Sequence, residues 1–254
     1  MMCGQDFLFQ VYGMSIDELF PSIAASPNKA ELYATTYSNF YNLGFSMFFA
    51  GLAFIPAAAS NDRESQGKLC FSSGCGWVLF LLVNVMDLNA PATPQMEAAR
   101  SKNLIQMAVM ATIAFGGFFA SGADIPNLKA TYRSPEGYPT KSPPWYWTVR
   151  YNVLCLFAFG GMFVFMNAKM LNDYNLPKEM QDVNTVLGSF TSRNLRNIGL
   201  NFFVAAFNAG AVLTAHHGIT IFRLNVAMAM GASISIASAG QAKMWARHFG
   251  HDTR

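Results

Sequence analysis

Six long apolar segments, separated by short polar stretches, organise the chain. A helix needs roughly 20 predominantly apolar residues to cross a hydrocarbon layer about 30 Å thick. The segments that meet this requirement, numbered here as spans one to six, are Phe40–Ala59, Leu69–Asp87, Leu104–Gly122, Tyr151–Lys169, Gly199–Ala215 and Ile219–Gln241. The pattern predicts an all-α fold, a polytopic membrane helix bundle of about six transmembrane helices.

The sequence predicts one membrane domain with short flanking segments. Residues 1–39 form an N-terminal surface segment with short helices, residues 40–241 the six-span membrane domain, and residues 242–254 a basic C-terminal tail. Ser15 and Glu18 match a capping box, in which each side chain pairs with the other residue's backbone N–H. Ser26-Pro27 is a second helix-start signal, and this helix can run unbroken into span one. An even number of spans places both termini on the same side of the membrane.

The longest connection between spans runs from Ala123 to Arg150 and contains five prolines. Proline at this density predicts an irregular loop. The loop includes Trp145-Tyr146-Trp147, and such aromatic side chains are typical of the boundary between membrane and water. The segment is predicted to be either a docking surface or an interfacial anchor.

Composition and charge support a membrane environment. Hydrophobic residues make up 52% of the chain and charged residues only 12%, compared with about 25% in soluble proteins. Lys and Arg favour the side that carries the termini by ten to seven, which places the termini inside by the positive-inside rule. No Lys or Arg precedes Lys29, so we expect the spans themselves, rather than a cleaved signal peptide, to direct insertion.

Small side chains recur every four residues in the last two spans. They are Ala206, Gly210 and Thr214 in span five and Ala227, Gly231, Ser235 and Ala239 in span six. Apolar helices in lipid associate through small residues that let the backbones approach, and only three residues separate these two spans. The sequence therefore predicts a tight antiparallel hairpin of spans five and six. Glycine pairs at Gly116-Gly117 and Gly160-Gly161 predict further close contacts of spans three and four.

Charged side chains near the span ends give two predictions. Asp87 ends span two and Arg223 lies near the start of span six, at opposite surfaces in the predicted topology. Arg223 shares its surface with Asp124, so we predict an ion pair between them, whereas Asp87 is expected to reach towards water at the interface.

A candidate lipid site is predicted on the side of the termini. The basic residues that flank the predicted hairpin there are Arg193, Arg196, Lys243 and Arg247. Basic pockets between helices bind anionic lipid head groups. The alternative interpretation is ordinary positive charge on the inner side of the membrane.

Residue types that carry catalysis or bind metals are sparse within the spans. The four cysteines, at positions 3, 70, 75 and 155, lack the paired short spacing of zinc sites and are interpreted as packed thiols. His216 and His217 are adjacent, so on a helix their side chains diverge by about 100° and cannot share a metal as an i, i+4 pair does. We therefore expect no catalytic residue, no metal and no cofactor apart from a bound anionic lipid.

These features favour a non-catalytic integral membrane subunit that packs in a larger membrane protein assembly. We expect a multi-pass protein of an organellar energy-transducing complex, with the mitochondrial inner membrane as the first choice of location. Its expected partners are membrane lipids and other membrane protein subunits, and no nucleic acid. The alternative is a small-solute channel or carrier with a path between spans one, four and five, lined by Asn42, Asn152, Asn197, Asn201 and Asn208. An enzyme is the third alternative.

Overall fold

The computed structural model describes residues 14–127, 144–173, 176–215 and 217–233. Within these ranges the regular elements are all α-helices, with no strand. The helices are α1 (Ile16–Leu19), α2 (Pro21–Ala24), α3 (Lys29–Gly51), α4 (Phe54–Ala58), α5 (Arg63–Met86), α6 (Pro94–Ser121), α7 (Pro144–Phe165), α8 (Asn167–Asp173), α9 (Lys178–Gln181), α10 (Val186–Thr214) and α11 (residues 218–233).

Five helical segments in the described residues are long and apolar enough to cross a membrane. They are Lys29–Ala58, Arg63–Met86, Pro94–Ser121, Tyr146–Phe165 and Val186–Thr214, and they correspond to spans one to five. The predicted all-α polytopic bundle is thereby confirmed. Helix α11 covers the first part of predicted span six, and the rest of that span, with Ser235 and Ala239, lies outside the described residues.

The helices begin well before the apolar segments that revealed them. Helix α5 starts at Arg63 and α10 at Val186, because polar side chains one residue earlier cap their first turns. Asp62 accepts a hydrogen bond from the Glu64 N–H, and Thr185 accepts one from the Gly188 N–H. Hydropathy thus marks the part of each helix that lies in hydrocarbon, whereas the caps mark where the helix begins.

The start of span four corrects the predicted loop from Ala123 to Arg150. Helix α7 already begins at Pro144, so Tyr146 and Trp147 are helical. A proline in the first turn is tolerated because the N–H it lacks would have no helical partner there. Tyr146 is buried, whereas Trp147 is 58% exposed. Residues 128–143 of the predicted loop lie outside the described part.

Helix α10 is the central element of the bundle. In its most apolar stretch 78% of the residues are buried, and α3, α5 and α7 all pack against it. Helix α6 packs on α5 and is only 11% buried in its own apolar stretch. Span five is therefore surrounded by protein, whereas span three presents most of its surface to the environment of the bundle.

The N-terminal segment packs against one end of the bundle. The capping box of α1 is confirmed, since the Glu18 N–H donates to Ser15 and the Ser15 N–H donates to Glu18. The hydrogen bonds that the Ser15 N–H and, second, the Ser15 hydroxyl donate to the Glu18 carboxylate hold the pKa of this carboxyl below its usual value. Ile16 and Leu19 are buried in a cluster that includes Met180 and Phe190. The predicted helix that runs into span one is observed from Lys29 to Gly51, but its N-cap position is Asn28 rather than Ser26, so Pro27 precedes the helix.

Candidate functional site

Buried amide and hydroxyl groups connect spans one, two and five within the membrane region. We call this set the polar cluster: Ser46, Ser72, Ser73, Asn201 and Asn208. All five residues are buried, and each asparagine links α10 to another helix. Polar side chains between helices in lipid lack water as a competing partner, so their hydrogen bonds fix which helix faces which.

Asn208 joins three helices through one amide. Its Nδ2 donates to the Ala50 carbonyl of α3 at 3.0 Å, and its Oδ1 accepts from Ser72 and Ser73 of α5 at 2.7 and 3.1 Å. A carbonyl oxygen only accepts hydrogen bonds, so the atom that faces Ala50 must be the nitrogen. The side chain is 0% exposed. The orientation of its amide is fixed by the partner of the nitrogen on one side and by the two partners of the oxygen on the other.

Asn201, two turns earlier on α10, uses only one of its two polar side-chain atoms in hydrogen bonds to the described residues. Its Nδ2 donates to Ser46 Oγ at 3.0 Å, and Ser46 Oγ donates its own hydrogen to the Leu43 carbonyl at 2.7 Å. Because a hydroxyl has one hydrogen, Ser46 can only accept from Asn201, which again fixes the amide orientation. Asn201 Oδ1 receives no hydrogen bond from any residue that the structure describes.

Span one is interrupted beside these asparagines. Helix α3 ends at Gly51 and α4 begins at Phe54. Pro56 accounts for this, because it has no N–H to donate to the carbonyl of Leu52 and its ring would clash with that carbonyl. Irregular backbone at membrane depth is tolerated where protein covers it or where it lines a cavity. Here Leu52 and Ala53 are buried.

A cavity of about 170 Å³ lies at this interruption, between α3, α4, α5 and α10. Most of its lining is apolar, with polar groups from Ser73, Asn201 and Asn208. The complete lining is Met47, Ala50, Gly51, Phe54, Ser73, Gly76, Trp77, Phe80, Asn201, Val204 and Asn208. Two of the five asparagines proposed to line a path are thus brought together. The cavity lies between spans one, two and five, whereas the predicted path involved spans one, four and five.

Charged groups tie the two ends of α5 to α10. Lys68 is 6% exposed, and its Nζ donates to the Thr214 carbonyl at 2.9 Å and to Glu64 at 2.5 Å. At the other end, the Arg196 guanidinium contacts the Asp87 carboxylate at 2.5 Å. The two helices are therefore antiparallel. Asp87, expected to reach towards water, is instead part of a half-buried ion pair.

Two of the four basic residues predicted to bind an anionic lipid contact Asp87. Arg196 pairs with its carboxylate, and Arg193 donates to its backbone carbonyl at 3.3 Å. Lys243 and Arg247 lie outside the described residues. The pairing neutralises part of the positive charge on which the predicted lipid site depends, and that site stays a prediction.

The predicted ion pair between Arg223 and Asp124 is absent from the described part of the chain. The Arg223 guanidinium instead donates to the Ala59 carbonyl at 2.8 Å, at the end of α4, and Asp124 is exposed. The carbonyl near a helix end has no helical partner, so it attracts a neighbouring cation. Arg223 also lines a polar cleft of about 460 Å³ with Asp62 and His217.

The small residues of the predicted hairpin are packed in a different way from that expected. Ala206, Gly210 and Thr214 are buried in α10. A Cβ added at Gly231 would lie 2.6 Å from Leu52 Cδ1 and 3.4 Å from Phe49, so this glycine contacts span one. Ala227 is half-buried. The two helices still meet at their connection, where Leu213, Ile221 and Leu224 share one buried cluster.

Two spanning helices approach each other backbone to backbone at one of the predicted glycine pairs. A Cβ at Gly160 of α7 would lie 2.9 Å from the Gly199 carbonyl, and one at Gly199 of α10 would lie 2.8 Å from the Gly160 carbonyl. Spans four and five therefore cross with glycine against glycine. Gly117 lies 3.1 Å from Cys70 by the same measure, whereas Gly116 has open space.

Within the described residues, no group of three or more His, Cys, Asp or Glu side chains is arranged to hold a metal ion. Cys70, Cys75 and Cys155 are free thiols.

Sequence reasoning missed the Asp87–Arg196 pair and the cavity. Both arise from residues far apart in the chain, 109 positions in the case of the ion pair. One signal was available for the cavity, namely Pro56 within an apolar segment that contains Gly51. Proline inside a predicted span indicates a break in the helix and therefore free backbone groups nearby.

Comparison with known families, curated proteins and solved structures gives no significant match: no family model fits the chain, and no curated protein or solved structure is similar to it.

Proposed function

We propose that this protein is a non-catalytic integral membrane subunit that packs in a larger membrane protein assembly. The observation that carries the proposal is the contrast between α10, which is mostly buried, and α6, whose apolar stretch is only 11% buried. Span five organises the bundle, whereas span three offers a long apolar face to lipid or to another subunit. The membrane of an energy-transducing organelle, first the mitochondrial inner membrane, is the proposed location.

The exposed face of α6 is suited to helix packing. Large side chains project from it along the whole span, with Ile105 67% exposed, Ile113 62% and Phe119 76%. Helices that pack in lipid gain contact through dispersion and through small residues between larger ones. Gly116 lies in this stretch with open space around its Cβ position, so a partner helix has room to approach α6 there.

The internal use of polar groups also supports a packing role. Asn208, Lys68 and Asp87 are each engaged with a partner in a neighbouring helix. Intramembrane charges that move ions or protons normally face a water-filled path. Here the described charges at the span ends hold helices together, which is the role expected of a scaffold.

The proposal is tested by photo-crosslinking in native membranes. A photoreactive residue at Ile113, on the exposed face of α6, is expected to give one discrete adduct with another protein, and native gels are expected to show a particle much heavier than the 27.9 kDa chain. Met110 is 37% exposed and lies nearly one helical turn away, so it serves as a second reporter on the same span. Lipid adducts alone at both positions, with a particle of one chain in detergent, would contradict the proposal.

The second candidate is a carrier of a small solute, and the cavity beside Asn201 and Asn208 is the observation that favours it. Discontinuous helices near the membrane midplane are typical of carrier binding sites. The test is flux through proteoliposomes that contain only this protein. A solute flux that saturates and is lost in Asn208→Leu would favour the carrier, and absence of flux for small polar solutes would favour the subunit.

A further inference from the structure

The cavity beside Asn201 has the size and lining of a site for a small apolar molecule. Its volume of about 170 Å³ equals that of roughly five or six waters at about 30 Å³ each. Its walls include Phe54, Trp77, Phe80 and Val204, whereas buried water needs two to four polar partners per molecule. An apolar cavity of about 150 Å³ stays dry and takes up benzene, so a ring-sized ligand fits here.

Two polar atoms of the lining have no partner among the described residues. Asn201 is 5% exposed and its Nδ2 is used by Ser46, which leaves Oδ1 without a donor. The indole N–H of Trp77 likewise has no acceptor in the described part of the chain. A hydroxyl group both donates and accepts, so it is a small neutral group whose chemistry complements both atoms.

The cavity is reached from the bilayer. Met47 and Phe54 line it and are each 42% exposed on span one, so part of its rim belongs to the lipid-facing surface of the bundle. The rim residues lie in the apolar part of the span, away from the polar caps at Asn28 and Asp62. A ligand that enters here must therefore dissolve in the membrane before it binds.

We propose that this cavity binds the hydroxyl-bearing ring of a membrane-soluble molecule, such as a phenol, whose O–H donates to Asn201 Oδ1. The proposal goes beyond the packing role, because a subunit of an assembly and an independent bundle would both possess the site. It also differs from the carrier candidate, since binding from the lipid requires no movement of a solute between two aqueous sides.

The test uses 4-fluorophenol and 4-fluoroanisole as probes of the full chain in lipid nanodiscs, followed by ¹⁹F NMR. The two molecules have nearly the same ring, but only the phenol can donate a hydrogen bond. Saturable binding is separated from partition into lipid by displacement with excess unlabelled phenol. The parent protein is expected to bind the phenol about tenfold more tightly than the anisole, the value for one hydrogen bond of about 1.4 kcal/mol.

Two pairs of variants locate the site. Asn201→Leu removes the acceptor and is expected to abolish the preference for the phenol, whereas Ser46→Ala removes the partner of Nδ2, leaves Oδ1 in place and is expected to keep it. Met47→Trp narrows the rim and is expected to prevent saturable binding of both probes. Phe48→Trp is its matched control, because Phe48 is 43% exposed and does not line the cavity.

Each outcome is decisive. A preference of the parent for the phenol that Asn201→Leu removes would establish the site, and the parent comparison needs no variant to fold. Equal affinity for the two probes in the parent would overturn the role of Asn201. Absence of saturable binding, or equal binding by the Met47→Trp and Phe48→Trp proteins, would overturn the cavity as the site. Failure of the assembly or flux experiments would leave these results unchanged.

Discussion

Asn208 holds three helices together with one side chain. Its amide has both donors and acceptors and no charge, so it can bond the Ala50 carbonyl and two serine hydroxyls without the cost of burying an ion in lipid. Buried Asn side chains in α10 thereby take the role that apolar packing plays in water. This explains why the residues with the lowest exposure in span five include a polar one.

Replacement of Asn208 by leucine tests this role. Asn208→Leu removes the bonds to Ala50, Ser72 and Ser73, and we expect it to lower the free energy of unfolding by about 2 kcal/mol, in the range of one to a few hydrogen bonds between membrane helices. The control is Asn84→Leu, because Asn84 donates only to the Phe80 carbonyl of its own helix. Thermal unfolding in detergent measures the stability of the two variants. Equal losses of stability would contradict the proposed role of Asn208 in joining three helices.

The Asp87–Arg196 pair gives a second prediction for single residues. The Asp87 and Arg196 side chains are 16% and 28% exposed, so the charges are less screened than in surface pairs. A double-mutant cycle with Asp87→Asn and Arg196→Gln is expected to give a coupling of about 1–2 kcal/mol. The reference is the Asp17–Lys29 pair, 3.9 Å apart and about half exposed, with an expected coupling below about 0.5 kcal/mol. A coupling of the same size in both pairs would refute the structural role.

At the scale of helices, the crossing of α7 and α10 depends on two glycines. Gly160 and Gly199 each face the other's carbonyl, with no room for a methyl group between the backbones. The sequence predicted the close approach at Gly160-Gly161, but not its partner. A glycine pair in the sequence shows that another backbone can approach the helix at that point. Only the packed bundle shows which helix approaches.

Gly199→Ala is the prediction for this crossing. The new methyl carbon would lie 2.7 Å from Phe163 Cβ and 2.8 Å from the Gly160 carbonyl, so the helices must separate, at an expected cost of about 1–3 kcal/mol for overpacking. Gly116→Ala is the control, because its methyl meets open space and is expected to be neutral or to stabilise α6 by up to about 1 kcal/mol. Unfolding in detergent is the measurement. If the Gly199→Ala protein were as stable as the Gly116→Ala protein, the close contact between Gly160 and Gly199 would be contradicted.

Hydropathy located five spans but not their helical limits. Leu69 and Gly199 were predicted as first residues, whereas the helices begin at Arg63 and Val186. The extra turns are polar because they lie outside the hydrocarbon, and their caps, Asp62 and Thr185, are visible in the sequence. The interruption of span one at Pro56 could also have been read locally. The cavity beside this interruption could not be predicted from the local sequence, because two of its walls come from other helices.

For the whole molecule, the contacts at the two ends of α5 and α10 fix an antiparallel layout. Lys68 meets the end of α10, and Asp87 meets its beginning. The connection between α4 and α5 therefore lies at one surface with the end of α10, and the connection between α5 and α6 lies at the other. Each surface carries its own ionic contact.

Cysteine labelling tests this layout. Asn61→Cys, on the connection between α4 and α5, and Gln95→Cys, in the first turn of α6, place single thiols in exposed positions near the two ends of α5, in a background without the four native cysteines. In sealed vesicles of one orientation, a membrane-impermeant maleimide is expected to label one variant and not the other until detergent is added. Labelling of both thiols in intact, uniformly oriented vesicles would contradict the placement of the two connections at opposite surfaces.

The sequence by itself determined the solvent, the helical class and the approximate position of five spans, because hydropathy and capping are local properties that neighbouring residues decide. The tertiary structure decided which polar group meets which. Asn208 bonds to Ser72 across 136 positions, and Gly231 of span six contacts Leu52 of span one. In lipid every apolar face is equally satisfied by lipid tails, so a pattern of apolar residues does not specify a partner helix. The specific geometry of a few amides, glycines and charges does, and that geometry exists only in the folded bundle.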